Sequence, residues 1–465
     1  MTEHPGLNPS SGRTKRPWAV SLPALLLLPA LLLLPALLLP ALSGYAPTEG
    51  NPEGFEPLET TDTYFDPDPL FTPAGNFPHM LAHTETPAGV LDYLAVGARL
   101  DNLVNVFQND GAGNLSLVDT LVTGSMPGTI LLGDLDGSGP DSPDAVVIHS
   151  GFETVSVYLS QDGTSWAAPV DYPLNNLGYD MQLAEIGNGG LPEILISIPG
   201  DSQMAVFLNN GAGSFTPVYL DTPDPLDDTL QIGPQRFAAA DLNADSLLDL
   251  AVVHPSNNLL SVWLGDGTGG FTPAATPSYE TGGSPEYPLL ADLGNDALAE
   301  DLLVSNRGET TVSPLLAGGS GEFTVGEKPD LSAAPSFCAV LDLDPSLPGL
   351  DIVALHKAAN LISILHNDSG TFTLTSITTN KGPAELAAAD WNSDGNLDLA
   401  VTEHISRSVS ILTGDGAGGF TSAVIGFSTL PARPLPVDAN GDLKPDLLVL
   451  HPNEDRLALL LNVSP

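Results

Sequence analysis

Cysteine is almost absent from this chain: Cys338 is the single one in 465 residues. One thiol excludes an intramolecular disulfide framework and any multi-cysteine zinc site. Its setting, Phe337-Cys338-Ala339-Val340, marks a small buried hydrophobe rather than a nucleophile. Positive charge is nearly as scarce, with Lys+Arg 13 against Asp+Glu 57 and a formal net charge of −44. A chain of that sign repels a phosphate backbone or an anionic membrane through its bulk charge, which sets nucleic acid aside as a partner. Long helical periodicity is missing too, and so are the Gly-x-Ser-x-Gly elbow, the His-Glu-x-x-His pair and the phosphate loop. What remains is 42 % hydrophobic residues, enough for a sizeable core, together with 47 Gly and 43 Pro, which suit many tight turns. The balance leans to an all-β protein.

The N-terminus reads as an address. Arg13, Lys15 and Arg16 precede an apolar run from Trp18 to Leu42, and the small residues Gly44 and Ala46 follow. These are the parts of a secretory signal, residues 1–46, with cleavage after Ala46. The alternative is a retained membrane anchor, since the run is long enough to cross a bilayer. Pro23, Pro29, Pro35 and Pro40 count against it, because each removes a helix hydrogen bond. The mature chain is thus expected outside the cell, secreted or at the cell surface, touching a membrane only if this segment stays. Residues 47–66 read as a flexible linker and residues 67–465 as one repeat domain.

That domain is built on a period of about fifty residues. The last acidic residues before each Leu/Ile/Val-rich run are Asp92, Asp144, Glu193, Asp249, Asp301, Asp351, Asp398 and Asp446, spaced 47 to 56 apart. Each unit holds a short apolar strand, an acidic loop, a second strand such as DLAVVH or DLLVLH, and an alternating third strand. A turn such as Asn209-Asn210-Gly211-Ala212-Gly213 or Gly414-Asp415-Gly416-Ala417-Gly418 then leads to a fourth strand headed by an aromatic. Asn/Asp-Gly pairs supply the positive φ of tight hairpins, so each unit is a four-stranded antiparallel meander. Such units bury their faces by packing radially, as a β-propeller. Eight blades are favoured; seven is the alternative if the weak first copy, His83 to Asp92, merges with its neighbour. The eighth unit lacks a fourth strand, and Leu70-Phe71-Thr72-Pro73 resembles Gly270-Phe271-Thr272-Pro273, so this N-terminal strand is expected to close the ring.

Two further features recur. An aromatic at the head of the fourth strand (Phe71, Trp166, Phe215, Phe271, Phe323, Phe372, Phe420; Leu115 is the exception) points to inter-blade packing. His149, His254, His356, His404 and His451 follow the second strand at one place in the unit, which marks them as repeat-encoded rather than catalytic.

The acidic loops carry the chemistry. Asp390, Asn392, Asp394 and Asp398 place oxygen side chains at positions 1, 3, 5 and 9, Gly395 sits at position 6, and Asn396 at position 7 offers its carbonyl. Six or seven flexible hard oxygens suit Ca²⁺ better than Zn²⁺ or strictly octahedral Mg²⁺. Asp241, Asn243, Asp245, Leu247 (by its carbonyl) and Asp249 repeat the set, with Ser246 in the glycine place. Asp438, Asn440, Asp442, Lys444 (by its carbonyl) and Asp446 do likewise, with Leu443 there. Asp134, Asp136, Ser138 and Asp144 keep the ligands around a two-residue insertion; Asp342, Asp344, Ser346 and Asp351 carry one extra residue. The loops Asp292, Asp296, Asp301 and Glu185 to Glu193 are too decayed, and there turn-capping by Asp is the better account. Six loops with three carboxylates each hold 18 of the 57 acidic residues, and six divalent ions in them would bring the formal charge from −44 to −32.

The strings DLNADSLLDLAV, DWNSDGNLDLAV and GDGAGGF resemble FG-GAP/VCBS repeats, the units of the integrin α-subunit propeller and of many exported bacterial propellers. The resemblance covers residues from about 67 to the end. It implies calcium at the Asp/Asn positions above and a non-catalytic binding or adhesion role toward an extracellular protein or glycan. The competing function is a polysaccharide-processing, lyase-like enzyme with a site on one rim. An enzyme usually breaks the repeat with loop insertions, and the even spacing here favours binding.

Overall fold

The computed structural model describes residues 64–66, 69–186, 190–222, 233–294 and 301–464; the expected signal, most of the linker and Asp296 lie outside the described residues. Among the described residues no helix is long and apolar enough to cross a membrane. Among the described residues, thirty-two strands, β1 to β32 in chain order, form eight four-stranded antiparallel sheets. Each sheet is one repeat unit, and the first unit forms a blade of its own (Pro78–Glu85, Leu91–Ala98, Leu103–Asn109, Leu115–Val122), which decides for eight blades. Within a blade the strands pair in chain order. The first strands of neighbouring blades touch at seven of the eight junctions. At the eighth, the Gln182 amide donates to the Phe237 carbonyl at 2.7 Å. The first strand is therefore innermost, along the central channel, and the fourth outermost.

This placement explains the patterning. Second strands such as Asp144–His149, Asp249–His254 and Asp446–His451 are buried along their whole length and are apolar at every position between the leading Asp and the closing His. The outer strand Thr371–Thr378 is largely exposed and correspondingly polar. No blade has a core of its own. The buried apolar residues fall into eight clusters, each spanning one junction; between the second and third blades Val146, Ile148 and Val157 meet Ile194, Ile196 and Phe207. With about 1.5–3 kcal/mol for each such side chain fully buried, stability resides in the junctions and requires a closed ring.

Closure follows the expectation. β1 (Leu70–Pro73) pairs with β32 (Arg456–Leu460) in the register Leu70↔Leu459 to Pro73↔Arg456, completing the sheet of β30 (Ala432–Val437) and β31 (Asp446–His451). Residues 64–66, which belong to the expected linker, also pack on this blade: Phe65 is buried and bridges to Asn462. The Gly-rich turns behave as their sequence indicates. Gly416 and Gly418 both have positive φ, and a Cβ on Gly418 would lie 2.1 Å from the His366 ring of the preceding blade. The second glycine of the turn thus serves both backbone geometry and junction packing.

Candidate functional site

The acidic loops join first to second strands and ring one end of the channel. The three complete loops share one conformation. Asp390 accepts from Asp394 N (3.1 Å) and Gly395 N (2.8 Å), Asn392 Oδ1 from Asp394 N (2.9 Å), and Asp394 from Asn396 N (2.8 Å). Asp241, Asn243 and Asp245 accept equivalently from residues 245, 246 and 247. Asp438, Asn440 and Asp442 accept from residues 441 to 444. In the blade-two loop Asp134 accepts from Gly137 N and Gly139 N, and Asp136 from Ser138 N. In the blade-six loop Asp344 accepts from Ser346 N, and Asp342 is exposed. Among the described residues, the one group of three acidic, His or Cys residues whose ligand atoms all lie within 4.8 Å of one another is Asp134, Asp136 and Asp144. Carboxylates at positions 1, 3 and 9 converge there because position 3 is Asp136; the complete loops carry an amide at that place (Asn243, Asn392, Asn440). The donors are hard oxygens throughout, a set that fits Ca²⁺.

Position 9 differs from the others. Asp398 is fully buried and receives one backbone N–H on each oxygen, from Trp391 (3.0 Å) in its own loop and from Gly414 (2.9 Å) at the end of the third strand. The same pair of bonds recurs at Asp144, Asp249, Asp301, Asp351 and Asp446. Glu193 keeps the loop half, from Ile186 N at 2.8 Å. Burial raises Asp144, Asp249, Asp398 and Asp446 to about 6, with the donated N–H groups opposing the shift. The residue that looked like the last metal ligand is thus also a fastener in six blades, and Glu193 keeps half of that role in a seventh.

Sequence reasoning missed a second fastener. The Asn209, Asn367 and Asn462 amides each donate to two carbonyls: one just before their own position 9 (Pro192, Leu350, Pro445) and one at loop position 2 of the preceding blade (Leu135, Leu293, Trp391). Asn109 does the same across the ring closure, to Leu91 and Ala439. Its sequence signal is an Asn 16 residues after the position-9 acid in three of these blades.

The complete loops also store strain. Residues at positions 4 and 6 adopt left-handed φ, including Ser246 (69°) and Leu443 (66°), and Leu443 is 79 % exposed. Since glycine carries no Cβ penalty there, Leu443→Gly is expected to stabilise the protein by roughly 0.5–1 kcal/mol in urea unfolding. A loss of stability would contradict this account.

The histidines are largely structural. His149, His254 and His356 are buried, with Nε2 2.7–2.8 Å from the hydroxyls of Ser156, Ser261 and Ser363. His404 departs from the expected ring: it lies one residue beyond the equivalent place, which Glu403 occupies, accepting from Ser408 and Ser410. The aromatics pack between blades at Trp166, Phe215, Phe271 and Phe323, all buried. Phe71 is 44 % exposed, under the Arg456 guanidinium at 3.7 Å.

The architecture makes the protein an eight-bladed β-propeller. Residues 241–304, from the blade-four acidic loop to the second strand of blade five, match the family model of the FG-GAP-like repeat. The chain is thus an eight-bladed β-propeller that carries an FG-GAP-like repeat at residues 241–304. No curated protein matches it significantly. Among solved structures, the Dos1 propeller aligns with a TM-score of 0.54 at 10 % identity, over 85 % of this chain and 96 % of that one. A lectin of Agrocybe aegerita that recognises non-reducing terminal N-acetylglucosamine gives 0.49 at 18 % identity, over 74 % and 91 %. The periplasmic gluconolactonase of Pseudomonas aeruginosa gives 0.46 at 15 %, over 67 % and 87 %. At such identities the likeness is one of fold.

Proposed function

We propose that the protein is an exported, calcium-stabilised binding module that presents one end of its propeller to an extracellular protein or glycan. The observation that carries this is the use of the repeat's polar groups. The position-9 carboxylates hold backbone N–H groups, the strand-end histidines hold serine hydroxyls, and the asparagines tie neighbouring blades together. These groups are committed to a rigid scaffold, while the oxygen-bearing side chains at positions 1, 3 and 5 stay at or near the surface, where a divalent ion can reach them. Calcium bound only by the folded ring raises its stability by mass action, about 2.7 kcal/mol for one site at a hundredfold excess over Kd. The thermal midpoint is therefore expected to rise by several degrees in excess calcium relative to chelator, and by less in Asp390→Ala/Asp394→Ala. Coincident midpoints for the parent chain would remove calcium from the proposal. The binding role is tested by screening extracellular proteins and glycans while following the glycans for cleavage; retained ligand without turnover is the expected result, and polysaccharide breakdown would replace it with the enzyme.

A further inference from the structure

Lys and Arg number 13 in the whole chain, and three of them, Arg13, Lys15 and Arg16, precede the propeller. Five of the remaining ten, Arg99, Arg236, Arg307, Lys357 and Arg433, sit at the starts of first strands or just past the ends of second strands, around the channel mouth opposite the acidic loops. They come from five blades. Three carboxylates lie among them in loose pairs: Arg236–Asp180 at 3.7 Å, Arg307–Glu286 at 3.5 Å and Arg433–Glu385 at 3.4 Å. Lys357 instead meets His404 Nδ1 at 3.2 Å, and neither it nor Arg99 has a carboxylate partner among the described residues. The charges feel one another across blades. Burial lowers His79 and His404 to about 4; the positive charges of Arg99 and Arg433 push His79 the same way, and those of Lys357 and Arg433 push His404.

Aromatic rings share this mouth. The Arg236 guanidinium lies 4.3 Å from the Tyr287 ring centre and 5.6 Å from that of Tyr179, and Tyr287 in turn contacts Phe337 at 6.4 Å. Tyr179 is 38 % exposed, and Phe337, Glu385 and Arg433 line a shallow cavity with Met80 and Leu81.

We propose that this mouth binds a short acidic oligosaccharide, its uronate carboxylates on the cations and its sugar faces on the tyrosines. This rests on the binding role proposed above and names the ligand class. Carboxylates match the arginine forks, and aromatic rings suit the apolar faces of sugars. The surrounding charge of −44 limits length: a long polyanion leaves the mouth and meets repulsion, whereas a short one is focused into it.

The experiment uses the full chain and calorimetric titration with trigalacturonate, its methyl ester and an acidic peptide, all without divalent ions so that calcium cannot bridge sugar to the acidic loops. The variants are Arg99→Gln/Lys357→Gln, which breaks no carboxylate pair, and Arg433→Gln, with thermal unfolding as the control for folding. Expected is binding of trigalacturonate that weakens with salt, falls at least tenfold in each variant, is lost with the ester and persists in Asp394→Ala. Equal binding of acid and ester, unchanged binding in folded variants, or binding of the peptide alone would each overturn the proposal. The last would leave a binding module with a protein ligand, whereas cleavage of the sugar would overturn the binding role itself.

Discussion

Deleting residues 64–73 from the chain is expected to open the propeller. The deletion removes the four-residue pairing of β1 on β32 and the main-chain bonds Asp66 N to Leu461 O and Val463 N to Tyr64 O. It also removes Phe65, which is buried and edge-on to Trp391 at 6.0 Å, and the Phe71–Arg456 contact. At about 1 kcal/mol for each net hydrogen bond and 1.5–3 kcal/mol for the buried phenylalanine, the loss is about 5–8 kcal/mol. That rivals the whole stability of an ordinary domain. The edge of β32 would also be left unpaired and free to recruit another chain. Urea unfolding should show a collapsed midpoint and gel filtration a shift to oligomers, both reversed by a peptide of residues 64–75 supplied in excess. A deletion variant that stays monomeric with an unchanged midpoint would mean that the ring closes by other means.

Much of this architecture is legible in the sequence because the repeat states it eight times. The period gives the blade count, and the likeness of Leu70-Phe71-Thr72-Pro73 to Gly270-Phe271-Thr272-Pro273 identifies the closing strand. The site is legible only in part, and the reasons are physical. Aspartate suits a metal, a turn and a buried backbone clamp equally well, so the pattern that announces a calcium loop also announces the fastener at position 9. The asparagine clamps are hidden because their partners are main-chain carbonyls of another blade, about 74 residues away for Asn209 and Asn367. His404 misleads because it stands one residue from a slot that Glu403 fills with the same hydroxyl-binding task. The basic mouth has no motif at all: Arg99, Arg236, Arg307, Lys357 and Arg433 are scattered along the chain, and only the ring brings them together.

The fastening role of the acidic loop and its proposed metal role can be separated in the loop of blade seven. Asp398→Ala leaves the backbone N–H groups of Trp391 and Gly414 buried without an acceptor, at about 1–3 kcal/mol each. The raised basicity of Asp398 refunds part of this, since burying its charge already carries a cost. A net loss of about 2–4 kcal/mol is expected in chelator, where no ion contributes. Asp394→Ala removes an exposed carboxylate that accepts one bond, from Asn396 N, and should change stability by less than about 1 kcal/mol under the same conditions. Adding calcium should narrow the gap between the two variants. The parent gains stability, Asp394→Ala gains little, and Asp398→Ala keeps whatever gain positions 1, 3, 5 and 7 supply without it. Equal losses for the two variants in chelator would show that position 9 is no fastener. The acid that stands in the decayed loops of blades three and five, as Glu193 and Asp301, would then need another account; there it bonds to Ile186 N, Leu293 N and Ala317 N although the rest of the expected ligand set is incomplete.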